Sequence, residues 1–303
     1  MHVAVCIVAY RNPDDIAACL AALERQDHAE FEVVIVENGG AEAHARLAQG
    51  TRGAALSVRV RCLLAPGNVG FAGGVNRAMA AAPDADAWWV LNPDCEPAPG
   101  ALRALVARLS SGDVDAVGGV LVNTDGTMQG VGGMWRAWAA RSVSIGKGDD
   151  PACLPAQARV ERRLDYLLGA SMLVGRRFRD VAGPMREDYF LYAEEVEWCV
   201  RARARGLRLG VAPDARVLHR QGSTTGSNRA LRDRPAMPIY LDERNRLNVV
   251  RDTTPALLPV AAIVMLGQAA LRYGRRRAWA QWRAALAGWA AGLRDERGPG
   301  RFA

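Results

Sequence analysis

The sequence predicts an α/β fold, a mainly parallel Rossmann-like sheet with helices on both faces, followed by a C-terminal helical extension. Three observations carry that prediction. Apolar runs of strand length alternate with helical stretches from Val3 to Leu109, polar residues close each run, and the character of the chain changes after Thr254. At 303 residues, half of them apolar, the chain has enough material for one large α/β domain with an appendage, or for two modest domains.

The first run, Val3 to Ala9, ends at Tyr10-Arg11-Asn12, and Pro13 can open a helix bearing Ile16, Leu20 and Leu23. Phe31 to Val36 is a second strand, closed by Glu37-Asn38-Gly39-Gly40, and Val58 to Leu64 a third. The segment Gly67 to Gly74 reads as a loop in which backbone can approach a ligand, leading into a helix from Val75 to Ala82. Ala87 to Leu91 is a strand delivering Asn92-Pro93-Asp94, and Ala101 to Leu109 is a helix. Right-handed crossovers then place Tyr10, Glu37, Asn68 and Asp94 along one cleft at the strand tips.

Beyond Val117 the alternation stops. Gly118 to Pro155 is glycine-rich and reads either as an acceptor loop or as an irregular connection around Gly146-Lys147-Gly148. Order resumes with Tyr166 to Val174, a carboxylate-rich helix start containing Glu194, Glu195 and Glu197, a strand from Leu207 to Val211, and Val217-Leu218-His219. Successive helical residues point about 100° apart, so Glu194 and Glu195 cannot share one role. One of them can act as general base while the other is held by its neighbours. Asp94 and His219 on neighbouring strand tips offer a divalent ion one carboxylate and one imidazole, a mixed set that suits Mn²⁺ better than Mg²⁺.

The net charge of +7 is concentrated late: from Arg244 onward eleven arginines face Asp252, Asp295 and Glu296. Lys147 is the only lysine, a ratio given no functional weight at this stage. Ala256 to Leu271 is apolar but, at sixteen residues, short of the ~20 that span a bilayer. Trp279, Trp282, Leu286, Trp289 and Leu293 follow at helical spacing beside Arg272 and Arg275 to Arg277. That stripe suits either an anionic membrane surface or packing against protein. Six scattered cysteines form no metal or redox pair, and the N-terminus shows no signal-peptide pattern, so a reduced, cytoplasmic protein is expected, with the tail allowing attachment at the inner face of the membrane. No nucleic-acid-binding module is present, and the defining residues of dinucleotide and Walker motifs are missing.

Taken in order, Tyr10-Arg11-Asn12, Val36 to Gly40, Asn68 to Asn76, Leu91 to Asp94, Gly169 to Leu173, Phe190 to Glu197 and Pro213 to His219 resemble the family 2 glycosyltransferases of the GT-A fold, in their bacterial rhamnosyltransferase-like branch. The resemblance implies a catalytic domain over 1–254, with a donor half over 1–117 and an acceptor and base half over 118–254, and a tail over 255–303. It implies inverting transfer of a sugar, rhamnose by branch, from a dTDP- or UDP-linked donor to a hydroxyl of a lipid-linked or polysaccharide acceptor. Donor contacts fall to Tyr10, Asn12, Glu37, Asn68, Gly70, Phe71, Gly73, Asn76 and Asn92, metal binding of Mn²⁺ or Mg²⁺ to Asp94 and His219, and the base role to Glu195 with Glu194 as alternative. Glu37, Glu195 and Glu197 stand where the family carries Asp. Those departures leave another reading, a catalytically inactive nucleotide-sugar binding protein, and the acceptor side leaves a transferase for a soluble natural-product acceptor.

Overall fold

The computed structural model describes residues 1–53, 56–220, 226 and 229–302. In chain order the elements are β1 (Val3–Ala9), α1 (Pro13–Leu23), β2 (Phe31–Glu37), α2 (Ala41–Gly53), β3 (Arg59–Leu64), α3 (Gly70–Ala81), β4 (Ala87–Leu91), β5 (Cys95–Pro97), α4 (Ala101–Ser110), β6 (Ala116–Val122), β7 (Met128–Gly130), β8 (Gly133–Arg136) and β9 (Arg141–Ser144). There follow α5 (Gln157–Glu161), β10 (Ser171–Gly175), α6 (Arg176–Ala182), α7 (Glu194–Ala204), β11 (Leu209–His219), α8 (Ala236–Thr253), α9 (Leu258–Ala269) and α10 (Trp279–Leu293).

One sheet runs in the order β3-β2-β1-β4-β10-β6-β11-β5, with β7 on β6. β3, β2, β1 and β4 pair in parallel, as the alternation predicts. The far half is mixed: β10 lies antiparallel between β4 and β6, and β5 antiparallel beside β11. The antiparallel share is thus larger than the alternation implies. Trp88 and Trp89 show how one strand serves both layers, because neighbouring side chains on β4 enter opposite core clusters. Each indole N–H is satisfied, by the Ala82 carbonyl and the Ser171 hydroxyl, both at 3.0 Å.

The chain leaves β1 toward β2 on one side and meets β4 on the other, so the carboxyl ends of β1 and β4 flank the switch point where such sheets bind ligands. Ser171 opposite Leu91, and His219 opposite Cys95, then bring two later segments to the tip of β4.

Three expectations need correction. α3 begins at Gly70, so the glycines are its first turns rather than a loop, and a Cβ at Gly74 would meet Val8 of β1 at 2.6 Å. β11 is one strand, not two, with a register shift between Val211 and Arg216. That irregularity accommodates Pro213. The apolar tail segment is also longer than expected: the helical run Pro255–Gly274 has 20 residues and a mean hydropathy of 1.5, enough by length and composition to cross a membrane.

In the structure this run packs on the rest of the chain, where the Trp289 indole donates to the Ala262 carbonyl at 2.9 Å. The tryptophan stripe of α10 is therefore split: Trp282 and Trp289 turn toward the body, and Trp279 is 60% exposed. α10 rides close on α8, where a Cβ at Gly288 would collide with the Tyr240 carbonyl and one at Gly292 would lie 2.8 Å from that of Arg244.

Candidate active site

A cavity of about 530 Å³ opens at the switch point. Tyr10, Asn38, Asn68, Gly70, Phe71, Asn92, Asp94, Glu194, Glu195 and His219 line it together with Asn123, Gln129, Ser144 and Lys147. Strand tips, the start of α3 and the start of α7 thus converge on one space.

Asp94 and His219 come together. The His219 Nε2 to Asp94 Oδ1 distance is 3.2 Å, and both residues are over nine-tenths buried. Gln129 donates from Nε2 to the His219 carbonyl at 2.6 Å and presents Oε1 to His219 Nδ1 at 2.9 Å. With the amide oriented that way, Gln129 accepts from Nδ1–H and fixes the ring so that Nε2 is directed at the Asp94 carboxylate. A divalent cation placed between them would be met by one carboxylate oxygen and one imidazole nitrogen, with water or phosphate oxygens completing its shell. The Cys95 sulfur lies within 4.8 Å of both ligand atoms. Burial pushes its thiol well above the ordinary range and it points to the Ala170 carbonyl, so a hard cation finds oxygen and imidazole here rather than thiolate.

Glu194 and Glu195 begin α7, and the turn before them is strained. Phe190, Tyr192 and Ala193 have φ of 66°, 75° and 67° without being glycine, each a costly conformation. Fully buried Asn245 of α8 holds that turn. Its Nδ2 lies 2.9 Å from the Tyr189 carbonyl and 2.8 Å from those of Leu191 and Tyr192, and Arg244 donates to Tyr189 as well. From the other side the Phe71 amide donates to the Phe190 carbonyl at 2.7 Å, an approach that only glycine at 70 permits.

The half-buried Glu195 packs over Gly169, where a Cβ would sit 3.3 Å from its side chain. Burial pushes the Glu195 carboxyl up to about 7. Burial, and then the charge of Glu195, raise Glu194 well above the carboxylate range, and its Oε2 has no hydrogen-bond partner among the described residues. Glu194 thus tends to stay neutral while Glu195 titrates near neutral pH, where a general base works best.

Several residues expected at the donor stand outside the cavity wall. Glu37 does not line the cavity; its Oε1 accepts from the Gly39 amide at 2.6 Å and the Arg11 amide at 3.1 Å. Asn12 accepts from the Tyr10 amide at 3.0 Å, so both residues brace the turn under Tyr10. Asn76 ties α3 to the chain at Met185 and Glu187, and Gly73 lies inside α3; neither lines the cavity. Asn68 does line it, while accepting from the Gly70 amide.

Sequence reasoning passed over Asn38, Gln129 and Lys147. Asn38 donates to the Gly70 carbonyl at 2.9 Å and keeps a buried Oδ1 with no partner among the described residues. Lys147 sits in a turn fixed by Gly146 and Gly148, both at positive φ. Its signal was its singularity, one lysine among 39 basic residues.

Residues 1–237 match the family described as glycosyltransferase like family 2. The chain belongs to that family. Among relatives of this family 2 chain, the N-acetylglucosaminyl-diphospho-decaprenol L-rhamnosyltransferase of Mycobacterium tuberculosis is 27% identical over 254 residues, 75% of this chain and 78% of the relative. The low-salt glycan biosynthesis hexosyltransferase Agl10 of Haloferax volcanii is 26% identical over 183 residues, 59% of this chain. The chain spans about half of that relative's length, 56%.

Solved structures share the GT-A fold. GalNAc-T7 with UDP, GalNAc and Mn2+ superposes with a TM-score of 0.63 at 16% identity, covering 83% of this chain and 48% of its own. The mannosyltransferase PcManGT of Pyrobaculum calidifontis, in complex with GDP-Man and Mn2+, gives 0.57 at 17% identity over 97% and 88%. The chain is therefore a family 2 member by sequence and shares the fold of these glycosyltransferases.

Proposed function

We propose that this chain transfers a sugar, rhamnose in the first instance, from a dTDP- or UDP-linked donor to a hydroxyl of a lipid-linked or polysaccharide acceptor, with inversion. The observation that carries the proposal is that one cavity holds both the Asp94–His219 pair and Glu195. The activity for which the mycobacterial relative is named supports rhamnose and a diphosphate-linked lipid acceptor.

In this reading Tyr10 stacks on the base, and the orphaned Asn38 Oδ1 accepts its imino hydrogen in place of Glu37. Asn68 and the α3 start at Gly70 and Phe71 sit against the ribose and diphosphate, with Asn92 and Lys147 beside them. Asp94 and His219 would hold Mn²⁺ or Mg²⁺, which when bound supplies positive charge to the departing diphosphate. Glu195 takes the acceptor's proton as that oxygen bonds to the anomeric carbon from the face opposite the donor diphosphate. The anomeric C–O bond breaks, its electron pair leaves on the nucleoside diphosphate, and the proton remains on Glu195. A single displacement needs no covalent glycosyl-enzyme.

The test is nucleoside diphosphate release from dTDP-rhamnose, UDP-sugars and GDP-mannose in Mn²⁺, with a synthetic N-acetylglucosaminyl-diphospho-polyprenol as acceptor and the product anomer assigned by NMR. Acceptor-dependent release with the opposite anomer is expected. Retention, or no release from any donor, would overturn the proposal.

A further inference from the structure

We infer that the solvent face of α9, together with Trp138 and the arginines that follow the helix, docks the protein on an anionic lipid surface. This face differs from the α10 stripe that the sequence suggests, because the structure turns Trp282 and Trp289 inward. Val260, Ile263 and Leu271 succeed one another on one side of the run Pro255–Gly274, at 48%, 72% and 67% exposure. Trp138 at 55%, on a turn that packs against this run, and Trp279 at 60%, five residues past its end, are exposed as well, so that five of the ten exposed large hydrophobics among the described residues lie on or near this run. A helix that buries Ala261, Ala262, Met265 and Ala269 inward while keeping its outer face apolar has a second surface to cover.

The patch is preformed. Gln268 donates to the Ala139 carbonyl at 3.0 Å and accepts from Arg246 at 2.7 Å, while Arg246 also donates to the Ala140 carbonyl. The 3-10 turn Ala137–Ala139, which carries Trp138, is thereby tied to α9. With its inner face held to the body, this helix suits lying in a membrane interface rather than crossing it.

Charge selects the occupant. From Pro255 to Arg294 the sequence has six arginines and no carboxylate, and Arg272, Arg275, Arg276 and Arg277 are exposed at one end of the apolar strip. Arginine and tryptophan around an aliphatic strip match an anionic headgroup layer over acyl chains. β9 (Arg141–Ser144) follows the Trp138 turn in the chain and ends at Ser144 in the cavity wall, so the docking face and the cavity share this short connection.

The test needs neither donor nor metal, so it can fail while the transferase reading stands. The full chain is sedimented with phosphatidylcholine vesicles, and with vesicles in which about a third of the lipid is phosphatidylglycerol. Wild type is expected to bind only the anionic vesicles and to be released by salt. Ile263→Glu with Leu271→Glu should lower binding at least tenfold at unchanged melting temperature. Arg275→Ala, Arg276→Ala and Arg277→Ala combined should remove the anionic preference. No vesicle binding, equal binding to neutral vesicles, or a wild-type dimer that Ile263→Glu with Leu271→Glu converts to monomer without changing sedimentation would overturn the inference, the last by assigning the face to a second copy.

Discussion

Glu195 is held where its charge is costly to the fold and where the proposed reaction would use it as a base. Burial raises its carboxyl from 4.5 to about 7, so protonation favours the folded state, and the stability it contributes below its unfolded value is lost as pH rises toward 7. Glu195→Gln should therefore melt higher than wild type near pH 8, with the advantage shrinking toward pH 5, and calorimetry across that range checks it. The same variant should lose roughly 10² to 10⁴ in rate, and the wild-type rate should rise with pH through about 7. Asn38→Ala is expected to weaken nucleoside diphosphate binding roughly tenfold while leaving melting within about 1 kcal/mol, read by titration calorimetry. That Asp94, Glu195 and His219 line one cavity follows from places legible in the sequence, since each closes a strand or opens a helix inside a recognisable pattern. Asn38 was not, since which of two adjacent polar residues at a strand end faces the cleft depends on local turn geometry that composition does not encode. Gln129 carried no signal at all, because packing of β7 against β6 brings it to His219.

The turn Phe190 to Ala193 stores backbone strain that α8 restrains, and the element as a whole sets where Glu195 stands. Asn245→Ala removes the two amide hydrogens shared among three carbonyls of that turn and should cost about 2 kcal/mol of stability. Its diagnostic signature is a kcat reduced tenfold or more with donor affinity unchanged, because the donor contacts lie on other elements. An equal loss in both would assign Asn245 to general stability instead. None of Phe190, Leu191, Tyr192 or Ala193 is a glycine, so sequence offered no hint of left-handed backbone there. The reverse error occurred at α3, whose glycines read as a loop by propensity but are needed for close packing on Val8 and Phe190. The strand expected to stop at Val211 continues to His219, because an irregularity in β11 absorbs Pro213.

At the scale of the whole molecule, the parallel half was legible through its strand and helix alternation, whereas β10, β5 and β7 are short and join through long-range antiparallel pairings that leave little local pattern. The tail is tied to the catalytic body by ion pairs as well as by α8. Arg297 lies 2.8 Å from Asp252, which also meets Arg186 and the Tyr189 hydroxyl below the strained turn. Arg297→Ala should destabilise by about 2 kcal/mol, less than a fully orphaned buried charge because Arg186 remains, and denaturant unfolding checks it. All of these elements converge on the claim that the cavity at the tips of β1 and β4 is a metal-assisted nucleoside diphosphate site. The most direct measurement is thermal unfolding with dTDP, UDP and GDP, each with and without Mn²⁺, on wild type and on Asp94→Asn. At least one nucleotide is expected to stabilise wild type by about 2 to 3 kcal/mol near a hundredfold excess over its dissociation constant, only with the metal, and to lose that effect in Asp94→Asn. No stabilisation by any nucleotide, or stabilisation that needs neither metal nor Asp94, would contradict it.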